Sequence, residues 1–249
     1  MRDFRPSRFQ ILPVIIKNLL IINVIFFLAQ NTVGKKFFDM DDLFALHTFQ
    51  SSLFRPWQLI THLFMHGDLG HIFSNMLALW MFGSVLENYW GPKRFITFYF
   101  VCGIGAALAH MTVLFIENQQ MISAFNHLQI NSNAAVEAFV SKYPPMYRVE
   151  TLQDLITSRL NEATIGASGA VFGCLAAFGY LFPNTLIYFY FFIPVKAKWF
   201  VLIYAAFELS MAIHNSAGDN VAHVAHLGGA LAGIVMVYLW NKRKRDTFF

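Results

Sequence analysis

Long hydrophobic runs separated by polar segments dominate the chain. Five runs are long enough, or nearly so, to cross a hydrocarbon core of about 30 Å. They cover about 12–28, 68–87, 95–116, 199–213 and 220–240. A sixth run opens at Ser168 and reaches only Pro183, which corresponds to about 22 Å of helix. The pattern predicts an all-α polytopic membrane protein with six transmembrane helices. The fourth of these is short and begins inside the membrane, which requires a polar or protein-lined pocket around its start.

Three segments between the runs have a character of their own. Residues 31–66 form a polar and aromatic connection on the outer side, and Asp68 is predicted to cap the second span. Residues 117–163 are too polar to span, and weakly amphipathic patches at 134–140 and 152–160 predict a small external helical cap. The aromatic run 186–194 is too short to span, so we expect it at the inner interface. The prediction is a single membrane domain over 1–249 with a polar insert at about 117–163.

Basic residues define the orientation. Apolar residues make up 57% of the chain and charged residues 13%, so membrane topology explains the basic balance better than nucleic-acid binding does. Of 18 Lys and Arg, twelve fall in segments predicted inside and six in the longer segments predicted outside. The twelve are at 2, 5, 8, 17, 93, 94, 196, 198 and 242–245. Both termini are therefore expected on the cytoplasmic side, and the expected location is a bacterial inner membrane.

The two cysteines are expected to be buried core side chains. Cys102 and Cys174 both fall inside apolar helices. A disulfide framework and a thiolate zinc site are therefore not expected, and both residues are interpreted as small core side chains.

Three polar residues on different spans share one predicted depth. Ser168 lies 15 residues from Pro183 (183 − 168), His226 lies 16 from Lys242 (242 − 226), and His71 lies 16 from Glu87 (87 − 71). All three fall about 22–24 Å above the inner face. A single intramembrane histidine is usually explained by a hydrogen bond to a neighbouring helix, but this coincidence favours a constructed site.

The chemistry available to this layer is nucleophilic. A serine hydroxyl needs an adjacent base, and neutral imidazole is the usual base near pH 7. The free N–H groups and the positive end of the helix dipole at Ser168 would stabilise an oxyanion. His71 and Asn75, spaced i and i+4, lie on one face of the second span and can contribute further donors.

Small residues predict which helices meet. Gly169-x-x-x-Gly173 on the fourth span and Gly229-x-x-x-Gly233 on the sixth are small-xxx-small patterns. Their contact would bring His226 to Ser168. Glu208 is an acidic residue inside the fifth span and is a candidate third member of a triad. It lies nine residues from Trp199 (208 − 199), about 14 Å. It is therefore expected about 8–10 Å below the layer, as a structural partner within the bundle, and a two-residue Ser-His mechanism follows.

A series of short motifs runs along the chain. The motifs are Trp57, His62-x-x-x-His66, His71-x-x-x-Asn75, Gly83-x-x-x-Glu87, Gly166-x-Ser168-Gly169 and Ala225-His226-x-x-Gly229-x-x-x-Gly233. In this order and on these helices, they resemble those of the rhomboid family of intramembrane serine proteases. The resemblance covers nearly the whole chain from the first to the sixth span, except the insert.

The resemblance implies roles for single residues. Ser168 is the expected nucleophile and His226, favoured over His223 by the glycines that follow it, the expected base. His71 and Asn75 are the expected oxyanion donors, and Gly166 shapes the backbone. Phe172 stands where some members carry tyrosine, and stacking on the histidine would survive that change. Gln58 stands where some members carry arginine.

The implied reaction is cleavage of a peptide bond in or near a transmembrane segment of another protein. The implied partners are transmembrane substrates and the lipid bilayer, without nucleic acid, metal or organic cofactor.

Three alternatives stay open on the sequence alone. A catalytically dead derlin-type binder would be expected to lack the serine or the histidine, and the chain keeps both. A metal-dependent membrane hydrolase is suggested by the spacings His62-x-x-x-His66 and His223-x-x-His226, although no H-E-x-x-H is present. A transporter fits the hydropathy, but the chain shows no internal repeat.

Overall fold

A computed structural model describes residues 9–32, 38–128, 152–189, 192–214 and 222–246. The described chain is mostly helical, with one two-stranded sheet. The helices are α1 (Val14–Thr32), α2 (Met40–Phe44), α3 (Gln58–Thr61), α4 (Leu69–Trp90), α5 (Pro92–Leu128), α6 (Leu152–Leu160), α7 (Ser168–Leu181), α8 (Ala197–His214) and α9 (His223–Asp246). The strands are β1 (Leu186–Phe189) and β2 (Ile193–Lys196), paired antiparallel.

Within the described residues, five helices are long and apolar enough to cross a membrane. They are α1, α4, α5, α8 and α9. Their length and apolar composition are those of an integral membrane protein, so the predicted class of polytopic membrane protein holds. The apolar helix α7 has only 14 residues, about 21 Å.

The centre of the bundle is a close packing of α5, α7 and α9. A side chain on Gly229 would begin on the carbonyl group of Gly169, and one on Gly233 would begin 2.9 Å from the carbonyl oxygen of Gly173. Glycine is needed at these positions because backbone lies against backbone. The predicted contact between the two glycine motifs is confirmed.

The cysteines lie in this core as expected. Cys102 and Cys174 are fully buried free thiols. The Sγ and Cβ atoms of Cys102 lie 2.5 Å from where a side chain on Gly173 would begin. Cys102 therefore fills the space that the glycine leaves open.

Helix α4 is hydrogen-bonded to the start of α1. Asp68 caps α4 by accepting from the N–H of His71 at 2.9 Å, as predicted. At the other end of α4, both carboxylate oxygens of Glu87 accept N–H groups from the first turn of α1. The donors are Ile15 and Ile16, each at 2.9 Å. Glu87 is buried, and it satisfies donors that a helix start leaves unpaired.

The third long helix continues past its predicted end. The sequence assigns residues from 117 onward to a polar insert, but α5 runs to Leu128. The continuation has a buried face: Met121 is 5% exposed, and the Asn118 amide is buried and donates to the Gln50 side chain at 3.2 Å. Asn118 bonds to Gln50 of the outer connection, so the helix does not need to end where its hydropathy falls.

Of the two helical patches predicted in the insert, one lies within the described residues. The predicted helix near 152–160 is present as α6. The patch at 134–140 lies outside the described residues. After α6, the side chain of Asn161 accepts from the Ser51 hydroxyl at 2.7 Å, so the end of the insert is bonded to the outer connection.

The aromatic run after α7 forms a hairpin, which hydropathy did not predict. Leu186 pairs with Lys196 and Phe189 with Ile193. The N–H of Ala197 donates to the carbonyl of Thr185 at 2.8 Å. The hairpin therefore joins the end of α7 directly to the start of α8.

Candidate active site

The segment before α7 is fixed by backbone hydrogen bonds. Thr164 and Leu46 exchange two of them, at 2.8 and 2.9 Å, and the N–H of Gly166 donates to the carbonyl of His62 at 2.9 Å. Gly166 has a φ of 124°, a conformation that favours glycine. This turn ends the extended segment, and Ser168 is the first residue of α7.

His71 lies over this turn. A side chain on Gly166 would begin 2.8 Å from Nε2 of His71 and 3.6 Å from Oγ of Ser168. The ring of His66 packs edge-on against that of His71, with centroids 5.0 Å apart. Because Nδ1 of His71 accepts from the N–H of Gly67 at 3.4 Å, its Nε2 is the ring nitrogen left to carry the proton. His71 and Ser168 therefore face the same space, with an N–H donor beside a hydroxyl.

Asn75 lies one turn further along α4. Its side chain is 5% exposed and donates to the carbonyl of His71 at 3.1 Å. An amide carries two N–H donors, so this bond uses one of them. It also fixes the side chain on the face of α4 that carries His71.

His226 packs against the turn that follows Ser168. Its ring stacks on Phe172 with centroids 4.1 Å apart and planes at 5°. Phe172 is four residues after Ser168, on the same face of α7. A side chain on Gly169 would lie 3.6 Å from the carbonyl of Ala225. The first turn of α7 thus adjoins the turn of α9 that carries His226.

Glu208 bonds to the edge of the His226 ring, at Nδ1. Its Oε2 atom lies 2.9 Å from Nδ1 of His226 and 2.7 Å from Nδ1 of His223. All three side chains are buried, with Glu208 only 2% exposed. A carboxylate accepts and does not donate, so each Nδ1 carries a proton toward it.

The predicted depth of Glu208 is wrong for a geometric reason. The prediction took Trp199 and Pro183 as level at the inner face. Where the two helices meet, however, a side chain on Gly179 would begin 3.5 Å from the carbonyl of Ala197. From that level, Ser168 and Glu208 each lie 11 residues up (179 − 168 and 208 − 197). The two residues therefore share one layer.

The same three side chains form a cluster of metal-ligating type. One ligand atom each from Glu208, His223 and His226 lies within 4.8 Å of the others. In the described residues His62 and His66 are not part of this cluster. The spacing His223-x-x-His226 suggested a metal-dependent hydrolase, and the structure does place these two histidines close together.

A small cavity lies behind Ser168. Its volume is about 20 Å³, and Ser168, Gly166, Thr164, His62 and His110 are among its lining residues. That volume holds about one water molecule. Nε2 of His110 lies 3.1 Å from the Thr164 hydroxyl.

His62 is a neutral member of this lining. Its Nδ1 donates to the carbonyl of Gln58 at 2.7 Å, and burial lowers the pKa of His62 to about 4. The ring is therefore uncharged at neutral pH, and Nε2 remains an acceptor.

Gln58, expected to stand where some members of the resembled family carry arginine, bonds to several parts of the outer connection. It is fully buried, and its oxygen accepts from the N–H of Arg55 at 3.0 Å. Its amide nitrogen donates to the carbonyls of Asp42 and Leu53, at 3.1 and 2.9 Å. Glutamine at position 58 therefore forms hydrogen bonds within the outer connection in place of arginine.

From the sequence, Glu208 is expected only as a structural partner, and His110 and Thr164 are not predicted as site residues. Glu208 carried a signal, since it is an acidic residue inside a span. For His110 and Thr164 the signal was weaker, because their contact crosses two segments that are 54 positions apart.

Fold and site together define a polytopic, mostly helical membrane protein with a serine and a histidine on adjacent helices. A family model described as the rhomboid domain matches residues 54–243. The chain belongs to the rhomboid family. The match includes Ser168, His226, Glu208, His71 and Asn75.

Named relatives come from organelles and from bacteria. RHOMBOID-like protein 12, mitochondrial, of Arabidopsis thaliana is 25% identical over 94% of this chain and 60% of its own length. Rhomboid protein 1, mitochondrial, of Saccharomyces cerevisiae is 29% identical over 73% of this chain and 40% of its own. Rhomboid protease GluP of Bacillus subtilis is 24% identical over 77% of this chain and 27% of its own.

This chain therefore spans 60% or less of the length of these three relatives. Two of the three are named as mitochondrial, so they do not support the expectation of a bacterial inner membrane. The family and its named proteases support a hydrolase of the protease type.

Proposed function

We propose that the chain is an intramembrane serine endopeptidase that cleaves peptide bonds in or near transmembrane segments of other membrane proteins. The observation that carries the proposal is the stack of His226 on Phe172, one helical turn from Ser168. Ser168 is half-buried at the start of a helix and is reachable, whereas the base beside it is held in the bundle.

In this mechanism Oγ of Ser168 attacks the carbonyl carbon of the scissile bond, and Nε2 of His226 takes the hydroxyl proton. The Nε2–H of His71, the remaining N–H of Asn75 and the free N–H groups at the start of α7 stabilise the oxyanion. His226 then protonates the leaving amine. A water molecule from the cavity behind Ser168 hydrolyses the acyl-enzyme, with His226 again as base.

Gly166 and Phe172 support this geometry. Because Gly166 has no side chain, the space under His71 stays open, and its positive φ is a conformation that glycine adopts readily. The glycines 229 and 233 let α9 approach α7 closely enough for the stack.

We infer that α7 begins inside the bilayer as the fourth of six membrane helices. At about 21 Å it is shorter than the hydrocarbon core of about 30 Å. Its end is tied to the hairpin at the inner side, so Ser168 lies below the outer surface. Both termini then lie on the cytoplasmic side, or on the corresponding side of an organelle membrane, and residues 1–249 act as one domain.

The decisive experiment is active-site labelling of the purified protein in lipid vesicles. A fluorophosphonate probe should label Ser168, and the protein should cleave a model transmembrane substrate. Ser168→Ala should abolish both, whereas Ser210→Ala, at an exposed serine of α8, should change neither. Absence of labelling in the wild type, with the protein folded, would instead favour a binder without catalysis.

The metal-dependent alternative has a specific observation in its favour, the cluster of Glu208, His223 and His226. A metal would require both Nδ1 atoms to be deprotonated, while the contacts to Glu208 fit N–H donors. We therefore expect cleavage to survive prolonged dialysis against EDTA. Loss of activity that added Zn²⁺ restores would support the metal mechanism.

A further inference from the structure

The carboxylate of Glu208 is placed for more than packing. A buried charge within a membrane is costly unless it is paired and hydrogen-bonded. Here a single oxygen accepts two imidazole N–H groups, at 2.9 Å from His226 and 2.7 Å from His223. The rings of the two histidines are nearly perpendicular, with planes at 84°. They approach Oε2 from different directions and so restrain its position.

We propose that Glu208 is a positioning residue that completes a Ser168–His226–Glu208 triad, and that His223 holds its carboxylate in place. This inference rests on the proposed function. It replaces the two-residue mechanism expected from the sequence and the family resemblance.

The contact selects one form of the His226 ring. Because Glu208 accepts from Nδ1, the proton of the neutral ring is on Nδ1 and the lone pair is on Nε2. That is the tautomer that can take a proton from Ser168. Without the carboxylate, the ring can place its proton on Nε2 and then cannot act as the base.

The contact also acts during the reaction. When His226 takes the serine proton it becomes a cation, and a carboxylate at hydrogen-bond distance stabilises that cation. Phe172 covers one face of the ring. The ring is thus restrained at its face and at Nδ1.

His223 is the second donor to the same oxygen. With both donors present the carboxylate cannot rotate away from His226 without losing a buried hydrogen bond. His223 does not need to touch the substrate for this role.

The test compares Glu208→Gln and Glu208→Asp with the wild type and with Leu209→Ala, at the neighbouring residue on α8, which is 52% exposed. Each variant is measured for the rate constant of fluorophosphonate labelling and for kcat and KM on one transmembrane substrate. Nitrogen NMR of histidine-labelled protein reports which ring nitrogen of His226 carries the proton. Thermal unfolding in detergent shows whether each variant is folded.

We expect Glu208→Gln to lower kcat and the labelling rate by about 10²–10⁴-fold with little change in KM. The Nδ1–H signal of His226 should weaken at the same time. Glu208→Asp should recover part of the rate. His223→Asn, whose amide nitrogen takes the place of Nδ1, should retain more of the rate than His223→Leu, which removes the donor. Leu209→Ala should behave as the wild type.

A folded Glu208→Gln protein that labels at the wild-type rate would overturn the triad. So would a slower Glu208→Gln protein whose His226 tautomer is unchanged, since that result would mean a structural role alone. If Glu208→Gln does not fold, the rate and tautomer of Glu208→Asp decide the question. If the wild type is not labelled at Ser168, the proposed function fails, and the tautomer measurement alone then tests whether Glu208 positions the ring.

Discussion

The rings of Phe172 and His226 lie parallel, 4.1 Å apart between centroids. Phe172 in turn packs against Tyr204 of α8, with centroids 5.0 Å apart. A row of three rings therefore connects α9, α7 and α8 at the level of the site. The imidazole is held at its face by carbon and has its two nitrogens at the edges for polar partners.

Replacing the stacked ring should reduce turnover without unfolding the protein. An aromatic contact of this kind contributes about 0.5–1.5 kcal/mol, so Phe172→Leu should lower kcat/KM by about 2- to 13-fold. Phe172→Tyr should keep the stack and most of the activity. Cleavage of a transmembrane substrate in vesicles gives both values. Equal activity of all three proteins would mean that the stack does not orient His226.

The contact of Gly229 with Gly169 leaves no room for a methyl group. Gly229→Ala places carbon on the carbonyl of Gly169, so α7 and α9 must separate. We expect a loss of at least about 1–3 kcal/mol in stability and loss of cleavage. Leu231→Ala, on the exposed side of α9, is the control. Thermal unfolding in detergent and activity should both stay unchanged in Gly229→Ala if close packing is not required.

His71 should act on the chemical step. Its Nε2 faces the space above Gly166 beside Oγ of Ser168, so His71→Ala removes an oxyanion donor and should lower kcat by about 10²–10³-fold. KM should change little. Asn75→Ala should show a smaller fall of the same kind, and exposed Ser74→Ala should show none. A rise in KM with constant kcat would place His71 in substrate binding instead.

Glu87 should determine stability and not chemistry. Glu87→Ala leaves the N–H groups of Ile15 and Ile16 without their acceptor. The buried N–H of Ile16 left unpaired costs about 1–3 kcal/mol, and the half-buried N–H of Ile15 costs less. Glu87→Gln keeps one acceptor oxygen and should lose less. Thermal unfolding measures the difference, with Asp42→Asn at an exposed site as control. Folded Glu87→Gln should retain its labelling rate with a fluorophosphonate probe, and loss of labelling would contradict a purely structural role.

The sequence was sufficient for the parts of the site that depend on position along one helix. Ser168, His71 and His226 could be placed in one layer because each was counted from a clear end of its own span. The glycine motifs identified which spans pack together, since close approach needs small residues at a fixed spacing. Their contact in the structure follows from that spacing.

Glu208 could not be placed in this way because its helix has no clear lower end in the sequence. The chain between Pro183 and Ala197 folds into a hairpin, and that hairpin raises the start of α8 to the level of Gly179. Hydropathy carries no information on such a shift. The depth of Glu208 could be corrected only from the contact between Gly179 and Ala197 in the structure.

The extent of α5 illustrates another limit. Residues such as Asn118 are polar and suggest a loop, but the helix continues because Gln50, 68 positions away, accepts from the Asn118 amide. A local hydropathy pattern cannot predict a hydrogen-bond partner so distant in the sequence. The same holds for Gln58, whose four hydrogen bonds to the outer connection could not be inferred from its type.

The capping of α1 by Glu87 has a consequence for the order of assembly. The acceptor lies 72 and 71 positions after the two N–H groups that it binds. During synthesis the first helix is therefore complete well before its acceptor has been translated, and its opening turn must bond to water or lipid headgroups until then. The start of the first helix can reach its final state only once the second has been inserted and has delivered its carboxylate, so these two spans mature as a pair.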